Sequence, residues 1–319
     1  MTCKFFDEII EKKHTCLIIP HQSPDGDCLG SSYALSSFFD GMGIRHKIAM
    51  NDLIPLNFAF LKKDNMLRDE DLLALNETFD VTLILDTSSP DRVGASQEVV
   101  DLGSKVLVID HHKTNTFFGD VNVVEEASSV GEILYQLMGP HMDGMDLEVA
   151  KGLYTSIVTD TGEFRYSNTT ATTMRVAGHL FESGLDFGSI NKEIFSNKPL
   201  NQVRLKSQIM ADMHLYEDNK IIIFSASQAT LKTYTCEMYH TDGIVEAGRD
   251  IMGCEVSILL KEMDTNMVKV SMRSNHYVDV SEISLKFKGG GHARAAGCTL
   301  HMPLDQAEAT ILSICKEYL

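Results

Sequence analysis

Acidic and imidazole side chains cluster directly after three short apolar runs of this sequence. The clusters are His21, Asp25 and Asp27 after CLIIP, Asp86 at the end of VTLILD, and Asp110, His111 and His112 at the end of KVLVID. A further acid, Asp160, ends the segment SIVTD. Crowded carboxylates repel one another unless protons or cations offset their charge. An oxygen-rich ligand set with imidazoles and without thiolates favours Mn²⁺ or Mg²⁺ over structural Zn²⁺.

The position of these residues after apolar runs predicts that they meet in space. Ligands of open parallel sheets bind beyond the carboxyl ends of the strands, so the clusters converge if their strands are neighbours. They suffice for two ions, which in hydrolases lie roughly 3.5–4 Å apart. Taken singly, an Asp-x-Asp pair is common in turns and a strand-end Asp is often a helix N-cap. Their joint placement at one sheet edge favours a two-metal site.

Two further features indicate contact with an anion. The segment GGGHARAAG contains Gly289, Gly290, Gly291 and His292. Consecutive glycines are entropically costly and usually mark a close backbone approach, although a flexible turn is the alternative. The small residues that follow are predicted to open a helix whose N-terminus attracts phosphate. Two arginines are candidate anion anchors through bidentate contacts, with a simple surface position as the alternative: Arg165 in GEFRYSN and Arg273 in SMRSN.

Alternating strand and helix patterns predict how the first half of the chain positions the acids. Near-continuous apolar strands are typical of a parallel sheet covered on both faces. The predicted strands are 15–20, 47–50, 81–86 and 105–110, and the predicted helices are 31–43, 128–139, 147–160 and 169–184. Gly43, Gly139 and Gly184 are placed to end helices. Proline and glycine predict a loop for HQSPDGDCLG itself. The fold class is therefore α/β, with an N-terminal doubly wound, mainly parallel sheet.

The second half has a different pattern, which predicts a smaller α+β domain. A polar connector and helix at 197–216 precede strands at 220–227, 255–263 and 267–274, the last two joined as a hairpin. A short strand, CTLHM, and an amphipathic helix from Leu304 end the chain. The predicted organisation is a first domain at 1–190, a connector at 191–214 and a second domain at 215–319.

Composition restricts the classes of function. The 319 residues carry a net charge of −17, which argues against duplex DNA as a partner. No apolar run reaches the roughly 18 residues of a membrane span. The N-terminal MTCKFFDEIIEKKH predicts an amphipathic helix and not a signal peptide, and the scattered cysteines indicate a reducing compartment, so cytoplasm is expected. No serine-hydrolase, P-loop or dinucleotide-binding motif occurs.

Together these motifs resemble the DHH phosphoesterases. HxxxDxD at 21–27, the strand-end Asp86, DHH at 110–112 and Asp160 are similar to the four motifs of that family, and GGGHARAAG is similar to the signature of its associated C-terminal domain. The length is similar to the NrnA-type subgroup, whose members degrade nano-RNA and remove the 3′-phosphate from adenosine 3′,5′-bisphosphate (pAp). The resemblance implies a short RNA or nucleotide as substrate and two divalent ions, with Mn²⁺ favoured and Mg²⁺ or Co²⁺ as alternatives.

The resemblance also implies roles for individual residues. His21 and Asp25 would bind the first ion, Asp27, His111 and Asp160 the second, and Asp86 would bridge them. Asp110 would support the motif, and His112 would face the scissile phosphate. The far end of the substrate would be held by Arg273, Gly289, Gly290, Gly291 and His292, with Arg165 a further candidate.

Several rival functions stay open at this point. A pyrophosphatase shares the metal motifs but has a different second domain, and a RecJ-type exonuclease usually carries an additional domain. A hydrolase of cyclic dinucleotides, or of their linear products, would have the same sequence motifs as a hydrolase of nano-RNA and pAp. From a different class, a nucleotide-binding regulator without turnover is disfavoured by the intact ligand set. The sequence does not decide whether the protein forms a homodimer.

Overall fold

A computed structural model describes residues 3–319, so the first two residues of the predicted N-terminal helix lie outside the described residues. The chain divides into two compact units, the second of which is Lys198–Leu319. The helices of the first unit are α1 (Lys4–Lys12), α2 (Gly26–Met42), α3 (Asp69–Ala74), α4 (Gln97–Val100), α5 (Val130–Met138), α6 (Leu147–Asp160), α7 (Ala171–Glu182) and α8 (Phe187–Asn191). Its strands are β1 (Cys16–Ile19), β2 (His46–Ala49), β3 (Met66–Leu67), β4 (Val81–Leu85), β5 (Val106–Asp110) and β6 (Val121–Val124).

The six strands of the first unit form one parallel sheet in the order β3-β2-β1-β4-β5-β6. Successive residues of β1 pack on opposite faces: Ile18 joins the core that contains Phe39 and Leu153, and Leu17 joins the core that contains Leu72 and Val99. Burial on both faces explains the near-continuous apolar runs. The predicted doubly wound α/β class is confirmed, and its strand order changes direction between β1 and β4.

Helices α2 and α6 pack with their backbones in contact, which positions one side of the candidate site. A β-carbon on Gly30 would lie 2.6 Å from the carbonyl oxygen of Gly152, closer than real β-carbons approach such atoms. The first turn of α2, with Asp27, therefore lies beside the last turn of α6, where Gly26 faces Thr159 and the helix ends at Asp160. Glycine is needed here for close approach.

The second unit is a mixed sheet with helices. Its strands are β7 (His214–Tyr216), β8 (Ile221–Ala226), β9 (Val256–Asp264), β10 (Met267–Ser274), β11 (Gly290–His292) and β12 (Ala295–Leu300). Its helices are α9 (Leu200–Ala211), α10 (Gln228–Tyr234), α11 (Ile244–Arg249), α12 (Val280–Leu285) and α13 (Leu304–Lys316). The strand order is β11-β12-β10-β9-β8-β7, and only the β8–β9 pair is parallel within the described residues. The predicted β9–β10 hairpin is confirmed.

Two local predictions are wrong for identifiable reasons. HQSPDGDCLG is not a loop throughout, because the Asp25 carboxylate caps α2 by accepting the Cys28 N–H, and the helix begins at Gly26. The residues after the glycine run form β12 and not a helix, because they pair with β10. The prediction that Gly139 ends a helix is confirmed, because it is the C-cap of α5, although its backbone is right-handed and the chain continues into a short 3-10 turn. Across residues 3–319, no helix combines the length and apolarity needed to cross a membrane.

Candidate metal centre

The loops that follow β1, β4 and β5 bring the predicted ligands to one edge of the sheet. These strands are neighbours, and the position between β1 and β4 is where ligands bind in folds of this order. Asp86 follows β4 with a left-handed backbone, φ 53°, a conformation that aspartate adopts more readily than most residues. The side chains brought together are His21, Asp25, Asp27, Asp86, His111 and Asp160.

One side of the centre is built around His21. Its Nε2 lies 3.4 Å from Asp86 Oδ2 and 3.7 Å from Asp25 Oδ1. Its Nδ1 lies 2.8 Å from the carbonyl oxygen of Gln22. That carbonyl accepts a hydrogen bond from Nδ1 and so directs Nε2 to the two carboxylates.

The other side is built around His111, and Asp86 is shared between the two. His111 Nε2 lies 3.6 Å from Asp27 Oδ2, 3.5 Å from Asp86 Oδ1 and 3.8 Å from Asp160 Oδ2. Each oxygen of Asp86 therefore faces a different imidazole. Asp86 is 4% exposed, and its Oδ1 is buried without a hydrogen-bond partner in the described chain. A buried carboxylate oxygen without a hydrogen bond is unfavourable unless a cation or a further donor binds it.

The donor set fits two divalent ions. The nitrogen–oxygen separations of 3.4–3.8 Å exceed a normal hydrogen bond. They match ligands of a common ion, because donors roughly 2.1 Å from a metal are about 3 to 4 Å apart. His21, Asp25 and Asp86 form one set, and Asp27, His111, Asp160 and Asp86 form the other. Asp86 belongs to both sets, because its Oδ2 faces His21 and its unpaired Oδ1 faces His111.

Without ions the centre balances its charges through the two imidazoles. Burial disfavours a charged His21, but contacts with Asp25 and Asp86 outweigh burial and raise its pKa to about 11. Burial likewise opposes charge on His111, and Asp86 and Asp27 raise its pKa to about 11. Burial and the neighbouring Asp86 raise the pKa of Asp160 to about 7. The site thus concentrates negative charge, which protons offset here and which bound cations would offset in their place.

Asp27 is fixed by hydrogen bonds from three elements. Ser31 Oγ and Ser156 Oγ donate to its Oδ1 at 3.0 and 2.5 Å. The backbone N–H of Val130, at the start of α5, donates to its Oδ2 at 2.9 Å. Burial raises the pKa of Asp27 well above its usual range, and the Asp86 charge adds to the effect. These donors hold the carboxylate in one orientation.

His112 is oriented by a buried chain of polar groups. Its Nδ1 lies 2.7 Å from Asp110 Oδ1, and Asn115 Nδ2 donates to Asp110 Oδ2 at 2.6 Å. Asp110 is fully buried, and these contacts with His112 and Asn115 overcome the effect of burial and lower its pKa. The same contact, assisted by Asp86, raises the pKa of His112 despite burial. The contact with Asp110 therefore fixes the ring orientation of His112 next to the centre and favours its protonated form.

Sequence reasoning missed the residues that hold the ligands. Asn115 orients Asp110, Asn168 Nδ2 lies 3.2 Å from Asp160 Oδ2, and Ser156 contacts Asp27. Ser156 had a weak signal, because it lies one helical turn before Asp160 on the same face. Cys28 Sγ lies near His21 and Asp86, but it is engaged with the backbone of His21 and Leu85.

The glycine run of the second unit combines two packed glycines with one open one. Added β-carbons on Gly289 and Gly291 would collide with β12 backbone at 2.3 and 2.5 Å. Gly291 also has φ 139°, which disfavours other residues. A β-carbon on Gly290 would meet nothing within 4 Å. The absence of a side chain at Gly290 therefore has no packing reason and leaves room for a ligand. His292 is exposed at the end of β11.

Both candidate arginines are already engaged. Arg273 makes an ion pair with Glu246 at 2.9 Å and donates to the carbonyl of Met272. Arg165 Nε donates to the Gly162 carbonyl at 2.8 Å, while its side chain stays 63% exposed. Neither arrangement prevents a guanidinium from binding an anion with its remaining N–H groups.

Comparison with known proteins identifies the class. Residues 15–157 match the N-terminal domain of the DHH family, and residues 218–319 match the DHHA1 domain. The chain is 32% identical to the bifunctional oligoribonuclease and PAP phosphatase NrnA of Thermus thermophilus, over 95% of this chain and 89% of that protein. The chain therefore belongs to the DHH family of phosphoesterases, with a DHHA1 domain.

Other similar proteins agree with this placement. The Bacillus subtilis protein of the same name is 27% identical over 95% of this chain and 96% of its own length. The crystal structure of an exopolyphosphatase-related protein from Bacteroides fragilis superposes with a TM-score of 0.90 at 23% identity, covering 99% of this chain and 95% of that one. The latter similarity supports the fold.

Proposed function

We propose that this phosphoesterase hydrolyses short oligoribonucleotides to mononucleotides and removes the 3′-phosphate of pAp, with Mn²⁺ as its metal. The relatives named oligoribonuclease and PAP phosphatase support the substrate class. The observation that carries the chemistry is the position of Asp86, whose two oxygens face two separate sets of metal donors. Imidazole and carboxylate donors without a thiolate ligand suit Mn²⁺.

Each metal-binding residue has a role in this proposal. His21 and Asp25 would hold one ion, Asp27, His111 and Asp160 would hold the other, and Asp86 would be shared between them. When bound, the ions supply a water of lowered pKa and positive charge for the phosphoryl oxygens. A net charge of −17 does not prevent an anionic substrate from binding, since two divalent ions would offset the carboxylate charges of Asp25, Asp27, Asp86 and Asp160.

His112 and Asp110 act on the phosphate side of the reaction. Asp110 accepts a hydrogen bond from the Nδ1–H of His112. This bond fixes the ring and favours its positively charged form. The protonated ring donates to a phosphoryl oxygen as negative charge develops there. Asn115 keeps Asp110 from turning away. His112 is 27% exposed, so it can reach a substrate.

The second unit contributes binding of a terminal phosphate. Gly290 leaves its backbone open to a ligand, and His292 and Arg273 supply donors. Within the first unit, Arg165 is a separate candidate anion donor, because most of its side chain is exposed.

A substrate panel tests the proposal. Purified protein is given pApA, a 24-nucleotide RNA, pAp, cyclic di-AMP and pyrophosphate, each with Mn²⁺ and with Mg²⁺. We expect rapid hydrolysis of pApA and pAp and slow hydrolysis of the long RNA. Preferential cleavage of cyclic di-AMP or pyrophosphate would replace the proposed substrate, and tight binding of pApA without cleavage would indicate a nucleotide-binding regulator.

Substitution of Gly290 by Ala tests the glycine run. The structure has space for the added methyl group, so the thermal stability should change little. The methyl would occupy the surface that the substrate backbone approaches, so KM for pApA should rise about tenfold while kcat stays within twofold. Steady-state kinetics with pApA and a thermal melt measure both quantities. The matched control is Gly178→Ala on α7 of the first unit, where an added β-carbon also meets nothing within 4 Å and the backbone is not left-handed. An unchanged KM in Gly290→Ala would remove this glycine from the binding surface.

A further inference from the structure

Lys288 precedes the glycine run in a conformation that favours glycine. Its φ is 57°. The N–H of Lys288 donates to the Leu285 carbonyl at 3.1 Å, and the N–H of Gly289 donates to the Ser284 carbonyl at 2.9 Å. This pair of bonds is the Schellman motif that ends α12, and Lys288 occupies its left-handed position, where glycine is the usual residue. Helix termination explains the conformation but does not require a lysine.

Lys13 is a second lysine of this chain in the left-handed position that ends a helix. It has φ 51° and follows α1, where Lys13 donates to Ile10 and His14 donates to Ile9 in the same pattern. A cation there interacts favourably with the helix C-terminus, and nothing more is needed to explain it. Lys288 has this benefit too, but it also lies next to Gly289 in the loop assigned to substrate. Lys13 is therefore the matched comparison for Lys288.

The other lysine and arginine side chains of residues 286–294 bind groups of the protein itself. Lys286 makes an ion pair with Glu317 at 3.1 Å. Arg294 donates to the carbonyls of Val278 and His276. Lys288 is exposed, and within residues 3–319 its ammonium has neither an ion pair nor a hydrogen bond. Its charge is therefore available to a ligand at this loop.

Lys288 lies close enough to the open glycine to act with it. Only Gly289 separates Lys288 from Gly290, so their α-carbons are at most about 7 Å apart. The flexible four-carbon stem of lysine can bring its ammonium to an anion held over that backbone. An anion that contacts the free surface of Gly290 would thus meet a positive charge that no protein carboxylate neutralises.

We propose that Lys288 is a specificity-determining residue that binds the terminal phosphate of a short oligonucleotide and so distinguishes 5′-phosphorylated from unphosphorylated substrates. This inference rests on the proposed function of the glycine run. Because an ammonium–phosphate contact is made equally in the bound and the transition state, Lys288 should affect KM and leave kcat unchanged.

The experiment compares Lys288→Gly, Lys288→Arg and Lys13→Gly with the wild type on pApA and ApA. Both glycine substitutions remove the backbone strain of a lysine in the left-handed conformation, so the melting temperature of both variants should equal or exceed that of the wild type. In Lys288→Gly we expect KM for pApA to rise about tenfold, with kcat and KM for ApA unchanged. Lys288→Arg should retain most of the preference for pApA, and Lys13→Gly should leave all kinetic constants unchanged.

Binding measurements separate this inference from the proposed function. Calorimetry in EDTA, which prevents hydrolysis, gives the Kd of pApA and of ApA for each variant. If the wild type fails to cleave every substrate, the proposed function is wrong, but a loss of the Kd preference for pApA in Lys288→Gly would still establish the phosphate contact. A Lys288→Gly variant with the wild-type ratio of the two Kd values would overturn it, as would a wild type that does not prefer pApA.

Discussion

Replacing Asp86 by Asn is expected to reduce kcat for pApA by at least about 10³-fold, equivalent to about 4 kcal/mol of transition-state stabilisation. The carboxylate faces both donor sets, and its Oδ1 is buried without a hydrogen-bond partner among the described residues. An amide would present one nitrogen with N–H groups to a position that needs an oxygen, and it would remove the shared negative charge. Steady-state kinetics with pApA and Mn²⁺ measure the loss.

The matched control for Asp86→Asn is Asp80→Asn at the other end of the same strand. Asp80 directly precedes β4 and accepts hydrogen bonds from the backbone and side chain of Thr15. Its amide variant makes the same chemical change away from the donor sets, so kcat should stay within about twofold of the wild type. Near-normal turnover in Asp86→Asn, with Asp80→Asn also active, would refute the bridging role.

The second large effect is expected for His112→Asn, which should lower kcat about 10²- to 10³-fold with little change in metal binding. Contact with Asp110 raises the pKa of His112 in spite of burial, which favours a charged ring opposite the phosphoryl oxygens. Asparagine can still contact Asp110, but it presents no cation to the substrate. Single-turnover hydrolysis of pApA separates this loss from any effect on binding.

His141→Asn is the control for that substitution. His141 Nε2 also pairs with an aspartate, Asp7, at 2.8 Å, and its side chain is similarly buried. Loss of this pair removes a His–Asp contact of the same type outside the candidate centre, so it should affect stability and leave kcat unchanged. Equal losses of kcat in both variants would show that His112 acts through folding and not at the phosphate.

The meeting of the candidate ligands at one sheet edge was predictable from two simple rules, one about apolar runs and one about the carboxyl ends of strands. Apolar runs without alternation predict strands buried on both faces, and the runs ending near His21, Asp86 and Asp110 are the neighbouring strands β1, β4 and β5. Polar residues at the carboxyl ends of such strands must then share one edge. The convergence of the candidate ligands follows from sequence patterns without any knowledge of side-chain geometry.

Features that depend on tertiary contacts were not predictable. The helix start at Gly26 depends on capping by Asp25 and on packing against Thr159, which outweigh the low helix propensity of glycine. The edge strand β6 is four residues long and only partly buried, so its pattern is weak. Asn115 and Ser156 acquire meaning only when the fold brings them to Asp110 and Asp27.

The most direct test of the account is the number of Mn²⁺ ions bound per chain, measured by equilibrium dialysis and elemental analysis. Two ions per wild-type chain are expected, with no more than one retained by Asp86→Asn and two by Asp80→Asn. Hydrolysis of pApA should rise in parallel with occupancy of the second ion. A wild-type chain that hydrolyses pApA while binding no divalent ion, or an Asp86→Asn variant that keeps both ions, would contradict the shared dinuclear centre.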